Sequence, residues 1–156
     1  MDVYQDLPNT YVLCFVFDTI KNVVLILKNN PKWQAGYFNG VGGKVKSGED
    51  IQQAAVREFK EETGLLIPYE YWHKVASMYS RDRSIIHVFT AQIFHYDLSA
   101  VKTMEKEEVV IAPVDGLPNL KTIPNVEALI HLSLLKLTPK PPEFNFMSYE
   151  RIFYNE

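Results

Sequence analysis

Three glutamates spaced three and four residues apart are the residues of this sequence best suited to do chemistry. Glu58, Glu61 and Glu62 belong to a predicted helix that ends before Gly64. At 3.6 residues per turn, their carboxylates fall within an arc of about 100°. Like charges at this spacing repel one another, and near the end of a helix they also oppose its dipole. A divalent cation with oxygen ligands would offset both effects; a solvated acidic helix face is the alternative.

One stripe of this helix is apolar in its first half and acidic in its second. Ile51, Ala55, Glu58 and Glu62 step by four, three and four residues, which is the spacing of a core-facing seam. Val56 and Phe59 are expected on its flank. A seam that served packing alone would continue with Leu or Ile, so the pattern favours a functional role for the two carboxylates.

The segment from Gly43 to Leu65 reads GKVKSGEDIQQAAVREFKEETGL, and it resembles the Nudix box of the MutT-like pyrophosphohydrolases. The family pattern is Gly, five residues, Glu, seven residues, Arg-Glu, an apolar residue, any residue, Glu-Glu, any residue, Gly and an apolar residue. Every specified position matches, with Phe59 and Leu65 as the apolar residues. A chance match is on the order of one in a billion per start position. The box covers 23 of 156 residues and is far more specific for the family than for a substrate.

The resemblance implies a metal site. Nudix enzymes hydrolyse a nucleoside diphosphate linked to another group, cutting between phosphorus atoms with Mg²⁺ or Mn²⁺. By matching positions, Glu58, Glu61 and Glu62 are the implied ligands, with the carbonyl of Gly43 as a further ligand. Such a cation neutralises the diphosphate and lowers the pKa of bound water.

Three other residues of the box, Glu49, Arg57 and Lys44, have implied supporting or substrate-binding roles. Glu49 and Arg57 are implied supports, because a guanidinium can hold a carboxylate bidentately and orient it. An exposed i, i+4 pair between Arg57 and Glu61 is the alternative. Lys44 follows two glycines and is a candidate phosphate contact, or else a plain solvated lysine.

The general base has more than one candidate. Within the box we choose Glu58. Glu105, Glu107 and Glu108, which precede a predicted strand, are the later candidates, and a solvated acidic loop is the other interpretation of that cluster.

Asn39, Trp33 and Asn125 are the candidate substrate-binding residues. The stretch Phe38–Val45 is similar to that of oxidised-purine triphosphatases in the family, where the Asn reads the base; an amide offers donors and an acceptor. Trp33 could stack on a base, and Asn125 resembles a further base-reading position. The plain alternatives are a turn residue for Asn39 and a helix N-cap for Asn125.

We therefore expect a Mg²⁺-dependent nucleoside triphosphate pyrophosphohydrolase that releases nucleoside monophosphate and pyrophosphate. Val126 stands where the oxidised-purine enzymes have a second Asp, which weakens that base preference. Ser80 and Arg81 stand where ADP-ribose enzymes often have Pro. The alternatives are a Nudix hydrolase of a dinucleoside polyphosphate, nucleotide sugar or RNA 5′ end, and a nucleotide-sensing module without catalysis.

Composition narrows the partners. A chain of 156 residues suits one domain with a sizeable core, and its net charge of −3 gives no basic footprint for long nucleic acid. Cys14, the single cysteine, excludes an internal disulfide framework and is interpreted as a buried hydrophobe. The N-terminal sequence lacks the features of a signal or transit peptide, and no apolar run reaches about 18 residues. We expect a cytoplasmic protein without a membrane segment.

The predicted fold class is α/β (α+β), the Nudix-type α/β/α sandwich with a mixed sheet between two helices. Residues 29–39 are predicted as a loop, and Ser47 or Asp50 as the cap of the box helix. The Nudix domain is assigned to residues 1–138. The tail, residues 139–156, is aromatic and is expected to pack on the domain or on the partner in a homodimer. Strands are predicted at Tyr11–Phe17 and Val23–Leu27 (a hairpin), Trp72–Tyr79, Ile85–Phe94 and Val109–Val114, and a second helix at Asn125–Leu137.

Overall fold

The computed structural model describes residues 9–139 and the backbone of residues 151–153. In this part of the chain, one mixed sheet of eight strands packs against the two longer helices. The strands are β1 (Asn9–Asp18), β2 (Asn22–Leu27), β3 (Phe38–Asn39), β4 (Val41–Lys44), β5 (His73–Tyr79), β6 (Ser84–Ile93), β7 (Glu108–Pro113) and β8 (Arg151–Phe153). The helices are α1 (Ile51–Thr63), α2 (His95–Leu98) and α3 (Val126–Leu137).

Strand β1 organises the sheet. It pairs in parallel with β6 along its whole length and antiparallel with β2 and β4 on the other side. The strand order is β3-β2-β1-β6-β5-β8, with β4 paired to β1 and β7 paired to β2. β4 therefore brings Gly42 and Gly43 directly against β1 at the centre of the sheet.

Alternation along β1 sends its side chains to two separate cores, because successive strand residues point to opposite faces. Leu13, Phe15 and Phe17 are buried with the apolar side of α3. Val12, Cys14 and Val16 are buried with the apolar side of α1. The sheet is thus covered on both faces, which confirms the predicted α/β/α sandwich; Cys14 is one of the buried hydrophobes, as expected.

The ends of α1 follow from its sequence. Asp50, rather than Ser47, is the N-cap, and its Oδ2 accepts a hydrogen bond of 3.1 Å from the backbone N–H of Gln53. Gly64 ends the helix with φ of 77°, a left-handed conformation that glycine adopts without steric strain. The box helix is therefore fixed at both ends by local signals.

The face that α1 buries differs from the predicted seam. Phe59 was expected on the flank, but it is fully buried at the centre of the contact and meets the ring of Trp72 edge-on at 5.6 Å. Ala55 is also buried, whereas Glu58 and Glu62 lie at the border of the buried face. An aromatic ring of this size adds about 1.5–3 kcal/mol when buried, so packing against Phe59 sets the helix rotation.

The predicted strands are confirmed, with ends that shift by one or two residues. Three short strands were missed: β3 inside the predicted loop, β4 around Gly42 and Gly43, and β8 in the tail. Glycine has weak strand propensity, but β4 pairs with β1, and a Cβ on Gly42 would overlap the backbone of Val12, so this pairing requires glycine there. The aromatic tail lies outside the described residues apart from Pro139 and the backbone of β8, which pairs with β5. No helix among the described residues has the length and apolarity to cross a bilayer.

Candidate active site

Arg57 is the hub of the box. Its Nε and Nη2 donate to the two carboxylate oxygens of Glu49 at 2.7 and 3.0 Å. Nη1 donates to Glu58 at 2.7 Å and to Glu61 at 3.1 Å, and Nη2 also donates to the carbonyl of Lys44 at 3.0 Å. These bonds use all five donors of the guanidinium. The bidentate contact and the i, i+4 pair, predicted as alternatives, are both present.

The pKa shifts of the box residues agree with the hydrogen bonds of Arg57. Hydrogen bonds from Arg57 are the main cause that holds the pKa of Glu49 below its ordinary value, and the backbone N–H of Lys46 adds a further bond. The same bonds raise the pKa of Arg57. Burial raises the pKa of Glu58, while Arg57 opposes that shift. Arg57 thus offsets much of the repulsion among the box carboxylates.

Glu62 is the carboxylate that Arg57 does not reach. Its Oε2 is buried and has no hydrogen-bond partner among the described residues. Burial, and then the charge of Glu58, raise the pKa of Glu62 to about 8. A buried carboxylate oxygen without a donor is costly, so this atom is the strongest sign that a cation belongs here.

Gly43 connects the box to the sheet. A Cβ at this position would overlap the carboxylate group of Glu58, so the missing side chain creates the space that this carboxylate occupies. The residue also lines the smaller of the two cavities described below. Gly43 is therefore the point at which the box carboxylates meet that cavity.

We expect Gly43→Ala to lower turnover about 100-fold, because displacing a reacting group by about 1 Å has an effect of that size. The melting temperature should change far less than for a core substitution. Gly116→Ala is the matched control, since its Cβ would meet only the Pro113 ring at 3.3 Å, away from the site. Parallel measurement of kcat and thermal unfolding checks the prediction; equal losses in both variants would contradict it.

We call α1, which carries Glu58, Glu61 and Glu62, the carboxylate helix. A cavity of about 590 Å³, here called the Glu62 cavity, lies beside it. It is lined by Glu62, Glu105 and Glu107 together with residues of two loops. Glu107 accepts hydrogen bonds from Nζ of Lys28 at 2.7 Å and from the backbone N–H of Asn29 at 2.6 Å. Burial raises the pKa of Glu107, but these donors outweigh burial and hold the pKa below its ordinary value.

The remaining candidates from that acidic cluster differ in position. Glu108 begins β7 opposite Leu27, is exposed, and lines neither cavity. Glu105 is exposed at the edge of the Glu62 cavity. The fold thus keeps Glu105 and Glu107 at one cavity and places Glu108 outside it.

A second cavity of about 500 Å³, here called the Trp33 pocket, brings together the three candidate substrate-binding residues from separate segments. Trp33 stands at its rim with 59% of its surface exposed. Asn39 lies on β3, and its Oδ1 accepts from the backbone N–H of Gly40 at 2.8 Å. Further lining residues are Tyr11, Lys28, Gly43, Met78 and Ile123.

Asn125 occupies the N-cap position of α3, but its side chain caps no helix N–H. Its Nδ2 instead lies 3.1 Å from the sulfur of Met78, which is a weak acceptor. The amide therefore retains most of its hydrogen-bonding capacity for a ligand in the Trp33 pocket.

The carboxylates suit a divalent metal in their donor chemistry. Oxygen ligands at Glu58, Glu61, Glu62 and the Gly43 carbonyl are the type that Mg²⁺ prefers, and the unpartnered oxygen of Glu62 fits such an ion. Within the described residues, no three carboxylate, histidine or cysteine side chains already enclose a metal position. The site is thus an open set of oxygen donors, two of which, Glu58 and Glu61, are held by Arg57.

Sheet, box helix and carboxylate cluster together define a Nudix-type domain. The model of the NUDIX domain family matches residues 7–131, and the chain belongs to this family. Among solved structures, it is similar to the Nudix domain of Shewanella oneidensis NrtR complexed with ADP-ribose (TM-score 0.68, 20% identity, 83% of this chain and 88% of that one). A MutT structure from work on Aliivibrio salmonicida and Vibrio cholerae gives a TM-score of 0.64 at 17% identity, covering 81% and 97%.

Two curated relatives carry a more specific name. The oxidized purine nucleoside triphosphate hydrolase of Danio rerio is 36% identical over 86 residues, which is 55% of this chain and 54% of the relative. The mouse (Mus musculus) protein of the same name is 39% identical over 77 residues, or 46% and 48%. The matched segments span about half the length of each relative.

Lys28 is the functional candidate that sequence reasoning missed. It follows β2, between the predicted strand Val23–Leu27 and the predicted loop at residues 29–39, and nothing nearby in sequence marks it. Its ion pair with Glu107 joins positions 79 apart in the chain. Only the pairing of β2 with β7 brings them together.

Proposed function

We propose that this protein is a Mg²⁺-dependent nucleoside triphosphate pyrophosphohydrolase that releases nucleoside monophosphate and pyrophosphate. The observation that carries the proposal is the continuity of the two parts of the site at Gly43. This residue lines the Trp33 pocket on one side and packs against the Glu58 carboxylate on the other. A base held in the pocket therefore has its phosphates directed toward the carboxylate helix.

The Trp33 pocket has the chemistry of a nucleobase site. Its volume lies in the range of small-molecule pockets. Trp33 offers an exposed ring for stacking, while the amides of Asn39 and Asn125 offer donors and acceptors for a base edge. Apolar side chains of Met78 and Ile123 complete the walls.

The names of the curated relatives support a purine triphosphate as the substrate. The preference for an oxidised base has weaker support. Val126, which stands where those enzymes have a second Asp, is the first residue of α3; it is fully buried in the core and presents no polar group to a base.

In the proposed reaction, Glu58, Glu61, Glu62 and the carbonyl of Gly43 would hold the metal. A bound divalent ion would supply charge neutralisation of the phosphates and acidify a water molecule. Arg57 fixes the Glu58 and Glu61 carboxylates, and Glu49 fixes Arg57. This preorganisation avoids a reorganisation cost during the reaction.

The proton of the attacking water needs an acceptor. Glu107 is engaged by two strong donors, and Glu108 lies outside both cavities. Two candidates for the general base remain. Glu58 contacts Gly43 at the pocket wall, and Glu105 lies at the edge of the Glu62 cavity. We place the general base at Glu58, with Glu105 as the residue to test beside it.

Base reading is tested by Asn39→Ala and Asn125→Ala. If these amides read the base, discrimination among nucleotides should fall by about 1–3 kcal/mol, because a pocket polar group loses its partner. Hydrolysis of the least favoured nucleotide should barely change, since the carboxylates are untouched. Kinetics with plain and oxidised purine and pyrimidine triphosphates provide the measurement.

Asn119→Ala is the matched control, because Asn119 is exposed and lines neither cavity. It should leave the whole profile unchanged. A uniform loss across the panel in the two pocket variants would show that Asn39 and Asn125 shape the fold and that the base is read elsewhere.

A further inference from the structure

The ion pair between Lys28 and Glu107 stands between the two cavities. Lys28 lines the Trp33 pocket, whereas Glu107 lines the Glu62 cavity. Their Nζ–Oε1 distance is 2.7 Å, and the side chains are only 21% and 18% exposed. A partly buried pair of this kind is more restricted than an ordinary surface salt bridge, whose partners are free to rearrange in solvent.

Lys28 is also the one cationic side chain among the described residues that line the Trp33 pocket. The other charged residue of that lining is Asp82, whose Oδ1 already accepts from the backbone N–H of Ser84 at 2.9 Å. A nucleoside triphosphate brings several negative charges into this space. Without a cation on the pocket side, its phosphates would meet mainly backbone and carboxylates.

Backbone hydrogen bonds fix the position of Lys28 at the edge of the Trp33 pocket. Its N–H donates to the carbonyl of Tyr37 at 2.9 Å, and its own carbonyl accepts from Gly36 at 2.9 Å. These bonds close the loop that carries Trp33 and anchor Lys28 beside it. Its partner Glu107 lines the same cavity as Glu62. Lys28 is therefore close to both the base pocket and the carboxylates.

We propose that Lys28 binds a phosphate group of the substrate between the Trp33 pocket and the carboxylate helix, and that Glu107 is a positioning residue that holds Lys28 in place. This inference rests on the proposed function. An ammonium has three donors, and the bond to Glu107 uses one of them. The other two remain for phosphate oxygens. Glu107 thereby receives a role different from that of a general base.

Equilibrium binding separates phosphate recognition from base recognition. The ligands are an α,β-imido nucleoside triphosphate, which resists cleavage at that bond, and the matching nucleoside without phosphates. Lys28→Met should weaken the triphosphate analogue about 10-fold or more, the effect of one charge-assisted hydrogen bond, and leave the nucleoside within about 2-fold. Calorimetry with and without Mg²⁺ measures both, and Lys136→Met, on the exposed side of α3, is the control.

A second variant guards against a folding defect, because Lys28→Met leaves Glu107 unpaired in a partly buried place. The double variant Lys28→Met with Glu107→Gln removes that unpaired charge and should recover stability without recovering affinity for the triphosphate analogue. Glu107→Gln alone should raise KM more than it lowers kcat. Recovery of affinity together with stability, or equal weakening of nucleoside and triphosphate analogue, would overturn the inference.

The outcome for the wild-type protein distinguishes the two levels of proposal. A wild-type protein that binds and hydrolyses triphosphates, with Lys28→Met indistinguishable from it, would overturn the role of Lys28 alone. A wild-type protein that neither binds nor hydrolyses them would overturn the proposed function.

Discussion

Glu62→Gln should stabilise the metal-free protein at pH 8 while lowering Mg²⁺-supported turnover about 100-fold or more, given the weight that a bound ion carries in such reactions. The two opposite effects have one origin. The Glu62 carboxylate is partly buried, and its Oε2 has no hydrogen-bond donor among the described residues. This arrangement destabilises the metal-free fold, and the same oxygen is free to bind a cation. A residue present for packing would lose stability and activity together.

The sign of the pH dependence follows from the direction of the shift. The folded pKa of about 8 lies above the ordinary value of 4.5, so between these two values the unfolded chain binds fewer protons at this group. Raising the pH across that window therefore destabilises the fold. Because the side chain is partly exposed, solvent screening reduces the effect, and we expect about 1–2 kcal/mol at pH 8.

Urea unfolding of wild type and Glu62→Gln at pH 5 and pH 8, each with and without Mg²⁺, measures this directly. The variant should show the flatter pH dependence and the smaller stabilisation by Mg²⁺, since a ligand stabilises only as far as it binds the fold. Glu70→Gln, at an exposed position, should behave as wild type. A variant that is less stable than wild type at pH 8 would contradict the assignment of Glu62.

Arg57→Lys should lower kcat about 100-fold and the free energy of unfolding by about 1–3 kcal/mol. A lysine ammonium cannot reproduce the planar fork that binds both oxygens of Glu49. Nor can its three donors serve Glu58, Glu61 and the Lys44 carbonyl at once. The carboxylates would then lose the orientation that the reaction needs, at a cost typical of small displacements of reacting groups.

Leu129→Ala is the stability-matched control for this variant. Leu129 lies on the buried face of α3, on the other side of the sheet from the box helix, and its truncation should remove about 2–5 kcal/mol. Turnover per folded molecule should survive in Leu129→Ala and fail in Arg57→Lys when both are assayed well below their melting temperatures. Similar specific activities would mean that Arg57 serves the scaffold only.

The parts of the site that were predictable from sequence are those that one helix determines. A helical period places Glu58, Glu61 and Glu62 on one side, and it also places Arg57 beside Glu61. The unbroken apolar run of β1 is likewise typical of a strand covered on both faces, and the two cores cover both of its faces. Local periodicity is sufficient for each of these features.

The rest of the site depends on long-range packing. Nothing local shows that Phe59 is the centre of the buried face, because Trp72, which meets its ring, comes from another segment. The glycine strand β4 forms by pairing with β1, where the Val12 backbone leaves no room for a side chain at Gly42. Lys28 and Glu107 meet only through strand pairing. Such contacts require the fold before they can be recognised.

The central claim is that the Trp33 pocket and the carboxylate helix act together on a nucleoside triphosphate. Its most direct test is product analysis by ion-exchange chromatography after incubation of the protein with purine triphosphates and Mg²⁺. We expect equal amounts of nucleoside monophosphate and pyrophosphate, abolished by chelator and by Glu62→Gln. Nucleoside diphosphate with inorganic phosphate as products, or full turnover in excess chelator, would contradict the account.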